Sequence, residues 1–144
     1  MREIKFRAWD TEDKVMRSWE ELTIEKEKDD DSWFIGYPES KVVTRFDHLQ
    51  TLEQYTGLKD KNGTEIYEGD ILGQEIKGRM RIKGAIKFGN YEEYMDGGIS
   101  DWTGFYLDDV EDGPVGSFSF LVQKLGEEVI GNIHENPELL EQSS

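Results

Sequence analysis

The sequence predicts a mainly β protein, with a small curled sheet in its C-terminal part, a smaller β-containing lobe at the N-terminus and a short C-terminal helix. The first observation is Asn62-Gly63 between the apolar residues Leu58 and Ile66, which favours a tight reversal between strands because both turn residues tolerate positive φ. The second is the period-two alternation of apolar and polar residues in short runs, which is typical of strands with one buried face. The third is the presence of 15 glycines in 144 residues, which suits tight loops and bends.

Residues 1–52 are expected to form the N-terminal lobe. Ile4, Phe6 and Ala8 alternate with charged residues and predict a first strand. A polar turn is predicted to follow at 10–14. The remaining expected elements are a returning strand at 15–19, an exposed charged loop at 20–31, a short strand at 33–37 and a single helical turn within 46–54.

Residues 53–144 are expected to form the C-terminal domain. The pattern of apolar runs and glycines predicts a turn at Asn62-Gly63 and a positive φ at Gly69, directly before a strand. Asn136 is suited to be the N-cap of a short final helix, with Pro137 in its first turn. The predicted strands lie at 66–67, 71–76, 79–88, 104–107, 118–125 and 128–132, and a mobile loop is predicted at 90–101.

Three segments together resemble a known family. The motif at 55–63, which continues through 66–71, is similar to the signature of the YopX family of phage and prophage proteins, and the segments at 2–10 and 129–140 agree with it. At the position of His134 the family more often has Tyr. The resemblance implies a phage- or prophage-encoded protein whose C-terminal part is a small SH3-like β-barrel and whose biochemical role is unresolved. It carries no catalytic residue over to this chain.

Composition limits the class of protein. Hydrophobic residues make up 35% of the chain and cysteine is absent, so we expect a modest core without disulfides or zinc–thiolate sites. No apolar run approaches the roughly 20 residues of a membrane helix, and a cytoplasmic location in a bacterial host cell is expected. The formal net charge of −15 opposes a close approach to nucleic-acid phosphates.

One basic segment stands out in this acidic chain. Its cations occupy odd positions and apolar residues occupy even ones, which predicts a strand with its cations on one face. The cations are Lys77, Arg79, Arg81, Lys83 and Lys87. Two interpretations stay open: the row pairs with neighbouring acidic groups and faces water, or it binds an anion or a nucleic acid.

No set of residues predicts an active site, a metal centre or a cofactor site. The sequence lacks a phosphate-binding glycine loop, a paired-histidine zinc motif and a nucleophile elbow. The two histidines, His48 and His134, are expected to be ordinary surface or hydrogen-bonded residues. Asp60 resembles part of a calcium loop, but that alignment places Leu58 and Gly69 at the terminal ligand positions, so a turn is the better interpretation.

Two functional hypotheses follow. The favoured one is a non-enzymatic protein-interaction or assembly module that binds an unknown host or phage protein, with Trp102, Phe105 and Tyr106 as candidate contact aromatics. The alternative is a nucleic-acid-linked protein, which either binds through the basic segment at 77–87 or mimics nucleic acid with its acidic surface. Self-association through strand edges is also expected, with Val42-Val43 and the strand at 4–9 as edge material.

Overall fold

The computed structural model describes residues 3–26, 28–29, 33–36, 43–45, 50–95, 97–116 and 118–141. The chain divides into two compact units, Met1–Tyr55 and Thr56–Ser144. Both units consist mainly of antiparallel strands, which confirms the predicted class. The predictions for Tyr37, Val42 and residues 46–49, which include His48, lie outside the described residues.

The first unit contains two sets of antiparallel strands. Strand β1 pairs with β2 on one side and with the first half of β6 on the other, whereas β3, β4 and β5 form a separate sheet in that order. The strands are β1 (Phe6–Asp10), β2 (Val15–Arg17), β3 (Thr23–Lys26), β4 (Trp33–Gly36), β5 (Val43–Arg45) and β6 (Gln50–Lys59), which ends in the second unit.

Three predictions for the first unit were wrong. The charged segment at 20–31 contains β3 and the end of a 3₁₀ turn at Trp19–Glu21, because Ser18 and Glu21 cap the turn reciprocally and β4 supplies pairing for β3. Residues 50–54 are extended rather than helical, since they pair with β1. The strand expected to be an edge, β1, has a partner on both sides, whereas Val43 lies in the outermost strand of its sheet among the strands that the structure describes.

The second unit is organised around one five-stranded antiparallel sheet. Its strand order is β11-β10-β9-β8-β12. The elements are β7 (Glu65–Tyr67), β8 (Asp70–Ile76), β9 (Arg79–Met95), β10 (Gly98–Asp109), β11 (Gly113–Val115), α1 (Phe118–Leu125), β12 (Glu128–Asn132) and α2 (Glu138–Glu141). The SH3-like closure of this sheet stays a prediction.

The core of the second unit joins the sheet to α1. Its buried members come from three sheet strands, from β7 and from one face of the helix, because residues four apart on a helix share a face. They are Ile66, Leu72, Ile86, Leu107, Phe118 and Val122. Burial of these apolar side chains supplies the main driving force for folding of the unit.

Two further predictions were wrong here. Residues 118–125 form a helix rather than a strand, because Phe118 and Val122 reach the core with helical spacing and Gly126, at φ +76°, ends the helix. A short apolar run does not distinguish the two structures. Residues 90–95 and 98–101 belong to the paired strands β9 and β10 rather than to a mobile loop, and Gly97 and Gly98 adopt positive φ.

The predicted turn at Asn62-Gly63 is present but is longer than two residues. The Asp60 N–H donates to the Thr64 carbonyl over 2.9 Å, and the Gly63 N–H donates to the Asp60 carbonyl over 3.0 Å. Gly63 adopts φ +81°, and Asn62 does not have positive φ. The loop is therefore a three-residue connection in which only the glycine needs the left-handed conformation.

The prediction for Gly69 is confirmed. Gly69 has φ +89°, its N–H donates to the Ile86 carbonyl over 2.8 Å, and its carbonyl accepts from the Ile133 N–H over 2.9 Å. The glycine thus joins β9 to the segment after β12. A side chain at this position would impose strain on a buried junction.

The predicted final helix is confirmed as α2, but the expected role of Asn136 as N-cap was wrong in detail. The Asn136 side-chain oxygen accepts a hydrogen bond from the Asn132 N–H over 3.2 Å. The backbone carbonyl of Asn136 accepts one from the Leu139 N–H over 3.1 Å. A Cβ atom on Gly131 would lie 2.6 Å from that side-chain oxygen. The asparagine therefore closes the turn before the helix.

Candidate protein-interaction site

The hairpin of β9 and β10 has two chemically different ends. Gly89 lies directly opposite Gly104, and this pair without side chains separates them. We call residues 83–88 and 105–109 the hairpin base, and residues 90–103 the hairpin tip. Each end uses charged and aromatic residues in a different way.

Lysines and aspartates pair at the hairpin base. Lys87 Nζ lies 2.7 Å from an Asp108 oxygen, and Lys83 Nζ lies 3.4 Å from an Asp109 oxygen. The hydrogen bond that Lys87 donates to Asp108 raises the pKa of Lys87 despite partial burial. Burial raises the pKa of Asp109, but backbone N–H donors and Lys83 outweigh burial and lower it overall. The charges of the base are therefore neutralised locally.

A buried carboxyl group also lies in this environment. Glu127 is fully buried, and neither of its carboxyl oxygens has a hydrogen-bond partner among the described residues. Burial raises the pKa of Glu127 to about 7, against an opposing effect of Lys83, and Asp109 adds to the rise. The environment thus favours the protonated form of this side chain.

The predicted row of cations on a single face was wrong. Lys77 and Gly78, at φ +51° and +81°, form the two-residue turn between β8 and β9, so Lys77 is not in the strand. Next, the register shifts between Leu72 and Gly73, which leaves Lys83 as an extra residue on β9. Such a bulge reverses the alternation of faces. Lys87 therefore faces the opposite side of the sheet from the arginines that precede the bulge.

Three of the five basic residues form ion pairs with nearby carboxylates. Arg81 forms an ion pair with Glu111, in addition to the two lysine–aspartate pairs at the hairpin base. Lys77 and Arg79 are exposed at the β8–β9 turn. This arrangement favours the interpretation in which the basic residues pair with nearby acidic groups.

The hairpin tip lines an open groove of about 770 Å³. Tyr94 is 83% exposed and Trp102 is 48% exposed, and both line the groove. Tyr91, which also lines it, lies directly opposite Trp102 in the sheet. Pro114 of β11 contributes to the wall. The tip thus presents large apolar rings to solvent within a concave surface, a typical property of binding sites.

Carboxylates accompany these rings. Glu92 and Asp101, both exposed, line the groove and lie directly opposite each other on β9 and β10. Like charges in this relation destabilise a strand pair, typically by a few tenths of a kcal/mol up to about 1 kcal/mol. Residues 90–103 contain four acidic residues and no Lys or Arg. The negative charge of the tip therefore has no counterpart within the tip itself.

The structure separates the three aromatics that were predicted as contacts. Phe105 lies 4.9 Å from Phe88, between ring centres, and packs against the core. Tyr106 is partly buried and its ring centre lies 4.7 Å from that of Tyr91. Trp102 is exposed in the groove. Two of the three therefore have structural contacts, and only Trp102 is presented directly to a partner.

Sequence reasoning missed Tyr91, Tyr94, Glu92 and Asp101 as site residues. The sequence predicts a mobile loop in this segment, because its glycines and acidic residues are typical of loops. The aromatic residues on both sides of Gly97-Gly98 were the available signal, since Tyr and Trp favour strands.

The conspicuous sequence motifs build turns instead of a site. One Asp60 side-chain oxygen accepts the N–H groups of Asn62 and Thr64, and the other accepts from Val129 over 2.9 Å. An Asp70 oxygen accepts from the Tyr67 N–H over 2.7 Å. These groups hold the hairpin of β6 and β7 to β12, which accounts for the motif without a ligand.

Among the residues that the structure describes, no helix has the length and apolarity needed to cross a membrane. In the same part of the chain, no group of three or more His, Asp or Glu side chains has the arrangement of a metal site.

The comparisons with known proteins agree with this picture of a β fold. The model of the YopX protein family matches residues 5–141. The chain is similar to the crystal structure of protein EF1440 from Enterococcus faecalis, with 31% sequence identity, a TM-score of 0.51, and coverage of 97% of this chain and 99% of that chain. No match is found among curated proteins. Because the family model covers nearly the whole sequence, the chain belongs to the YopX protein family.

Proposed function

We propose that this protein is a non-enzymatic protein-interaction module of phage or prophage origin, which binds a host or phage protein through the hairpin tip. The observation that carries the proposal is the groove in which the exposed rings of Tyr94 and Trp102 lie beside carboxylates. Rings of this kind often dominate binding energy at protein interfaces, since they provide a large contact area at a low entropic cost.

The scaffold suits such a role. We infer that the second unit is a variant of the SH3-like barrel, because its antiparallel sheet is bent by a bulge at Lys83. The core lies among β7, β8, the hairpin base and α1, which leaves the tip available for contact. We expect the protein to act in the cytoplasm of a bacterial host, and self-association remains part of the proposal.

The charge arrangement disfavours direct nucleic-acid binding. Arg81, Lys83 and Lys87 each have a carboxylate partner, so a phosphate would have to compete with an existing ion pair. The formal charge of −15 opposes phosphate approach as well. These two observations support the interaction module over the basic-strand alternative.

Site-specific photo-crosslinking in host cells that carry the phage tests the proposal. A photoreactive phenylalanine derivative replaces Tyr94 in one variant and Met80 in another; Met80 is an exposed residue, at 43%, on β9 near the β8–β9 turn. We expect a discrete protein adduct from position 94 and none from position 80. The purified partner should then bind the wild type at least about tenfold more tightly than Trp102→Ala.

Two results would contradict the proposal. One is the absence of any protein adduct at position 94 under conditions in which the variant is folded and expressed. The other is DNA binding by the wild type that weakens with salt and disappears on joint neutralisation of Arg79 and Arg81, which would establish the nucleic-acid alternative.

A further inference from the structure

The outer edge of β10 is open at the hairpin tip. Residues 98–104 pair with β9 on one side. On the other side, β11 pairs only with residues 107–109, and no other described strand pairs with β10. Every second N–H and C=O group of 98–104 therefore points away from β9. An extended segment of another chain can use these groups by adding one strand to the sheet.

The two faces of this edge have different chemistry. Asp101 shares one face with Glu92, which lies directly opposite. Trp102 lies on the other face with Tyr91, because successive side chains of a strand alternate between faces. A strand added beside β10 thus places alternate side chains next to Asp101, with Glu92 one strand further in, and next to Trp102, with Tyr91 one strand further in.

The pair of like charges, Glu92 and Asp101, indicates that a segment bound here carries positive charge. Glu92 and Asp101 repel each other in the free protein, and the tip contains no cation that separates them. A lysine or arginine beside Asp101, on the same face of the sheet, offsets this repulsion by its attraction to both carboxylates. An apolar neighbour on the partner strand meets Trp102, which is 48% exposed.

We propose that the partner contributes an extended segment of alternating basic and apolar residues, which pairs with β10 at 98–104 and places a basic side chain beside Asp101, on the face that Asp101 shares with Glu92. This inference rests on the proposed function and adds the chemistry of the partner. The occupant is another protein, since a second copy that paired through the same residues, 98–104, would bring two acidic tips together, and a nucleic acid would bring phosphates.

A direct binding experiment tests the inference with the full chain. The probe is a short fluorescent peptide of alternating lysine and valine. Two further peptides serve as controls: glutamate and valine in alternation, and lysine and valine with N-methyl groups on the backbone of alternate residues. We expect binding of the first peptide only, with an affinity that falls as salt rises.

Variants of the chain identify the site. Glu92→Gln with Asp101→Asn is expected to weaken binding of the lysine–valine peptide by about tenfold at low salt. The matched control is Glu12→Gln with Glu141→Gln, which changes two exposed carboxylates elsewhere and should alter affinity by less than about twofold. Trp102→Ala should also weaken binding, whereas Met80→Ala should not.

The outcome separates this inference from the proposed function. Sequencing of the adduct at position 94 should show a basic–apolar alternating segment of another protein. An adduct with an acidic or helical segment, or with a second copy of this chain, would overturn the inference while leaving an interaction module in place. Equal binding of the N-methylated peptide, or equal weakening by the Glu12 and Glu141 control, would also overturn it. The absence of any adduct would instead contradict the proposed function.

Discussion

At the hairpin base, lysine and aspartate side chains lie next to each other, whereas at the hairpin tip carboxylates and aromatic rings lie together without a cation. The ion pairs of the hairpin base are Lys83 with Asp109 and Lys87 with Asp108. The same part of the hairpin contributes to the packed core. The tip holds Glu92 opposite Asp101 on one face, and Trp102 is exposed on the other face. One long hairpin thus combines an end whose charges are paired with an end that exposes like charges and large aromatic rings.

This difference between the two ends indicates where a binding site is to be expected in a small β protein whose sequence contains no catalytic motif. Local satisfaction of charge indicates a structural role, because each group already has its partner. Unfavourable placement of like charges persists only where folding tolerates it, and such local inconsistency is often found at functional sites. The tip meets this criterion and the base does not.

The largest expected effect concerns the close packing of the base. A Cβ atom on Gly84 would lie 2.1 Å from the Asp108 carbonyl oxygen, whereas nothing lies within 4 Å of a Cβ atom on Gly89. Because their φ values are nearly equal, at +152° and +155°, backbone strain is matched. Gly84→Ala should reduce the free energy of unfolding by about 3–5 kcal/mol, and Gly89→Ala by about 1–2 kcal/mol. Denaturant unfolding measures both, and equal losses would contradict the packing argument.

The second expected effect is a pH dependence at the base. The pKa of Glu127 is raised from 4.5 to about 7, so the native state binds a proton that the unfolded state has lost between these values. Stability contributed by this group is complete below pH 4.5 and falls as the pH rises towards 7, by an amount on the order of 3 kcal/mol. Above that range the loss is constant.

Substitution of Glu127 isolates this contribution. Relative to wild type, Glu127→Gln and Glu127→Leu should become more stable as the pH rises from about 4.5 to about 8, by about 2–3 kcal/mol at the upper end. Thermal or denaturant unfolding at several pH values provides the comparison. A stability difference that is independent of pH in both variants would show that Glu127 does not titrate in this way.

The smallest expected effect is a difference in sign between two charge pairs. A double-mutant cycle for Lys87→Met and Asp108→Asn should give an attractive coupling of about 0.2–1 kcal/mol, since these groups form an exposed ion pair. The cycle for Glu92→Gln and Asp101→Asn should give a repulsive coupling of similar size. High salt should reduce both. Attractive coupling at the tip would remove the contrast between the two ends.

Several features of the fold could be predicted from local residues. The strand at 128–132 and the positive φ of Gly69 follow from apolar patterns and from the conformational freedom of glycine. The helix at 118–125 could not be recognised as such, because an apolar run of eight residues is compatible with a buried strand. The helical conformation of 118–125 is favoured by the packing of Phe118 and Val122 in the core.

The candidate site was less predictable than the fold. Trp102 was identified from its residue type, but Phe105 was assigned with it although the two lie on opposite faces. The prediction that the cations of 77–87 share one face was wrong for a related reason. One extra residue at Lys83 changes the face of every residue that follows it in the strand. A bulge depends on the pairing of two distant strands, so the alternation within one segment does not indicate it.

The β class, the turn at Asn62-Gly63, the final helix and the family resemblance could be recognised in the sequence, because they depend on short-range backbone preferences and on motifs within single segments. Which charged residues become neighbours depends instead on contacts between segments that are distant in the sequence. The register of β9 against β10 places Glu92 opposite Asp101 and Tyr91 opposite Trp102, and no local property of either strand specifies that register. The candidate site exists because these separate segments meet.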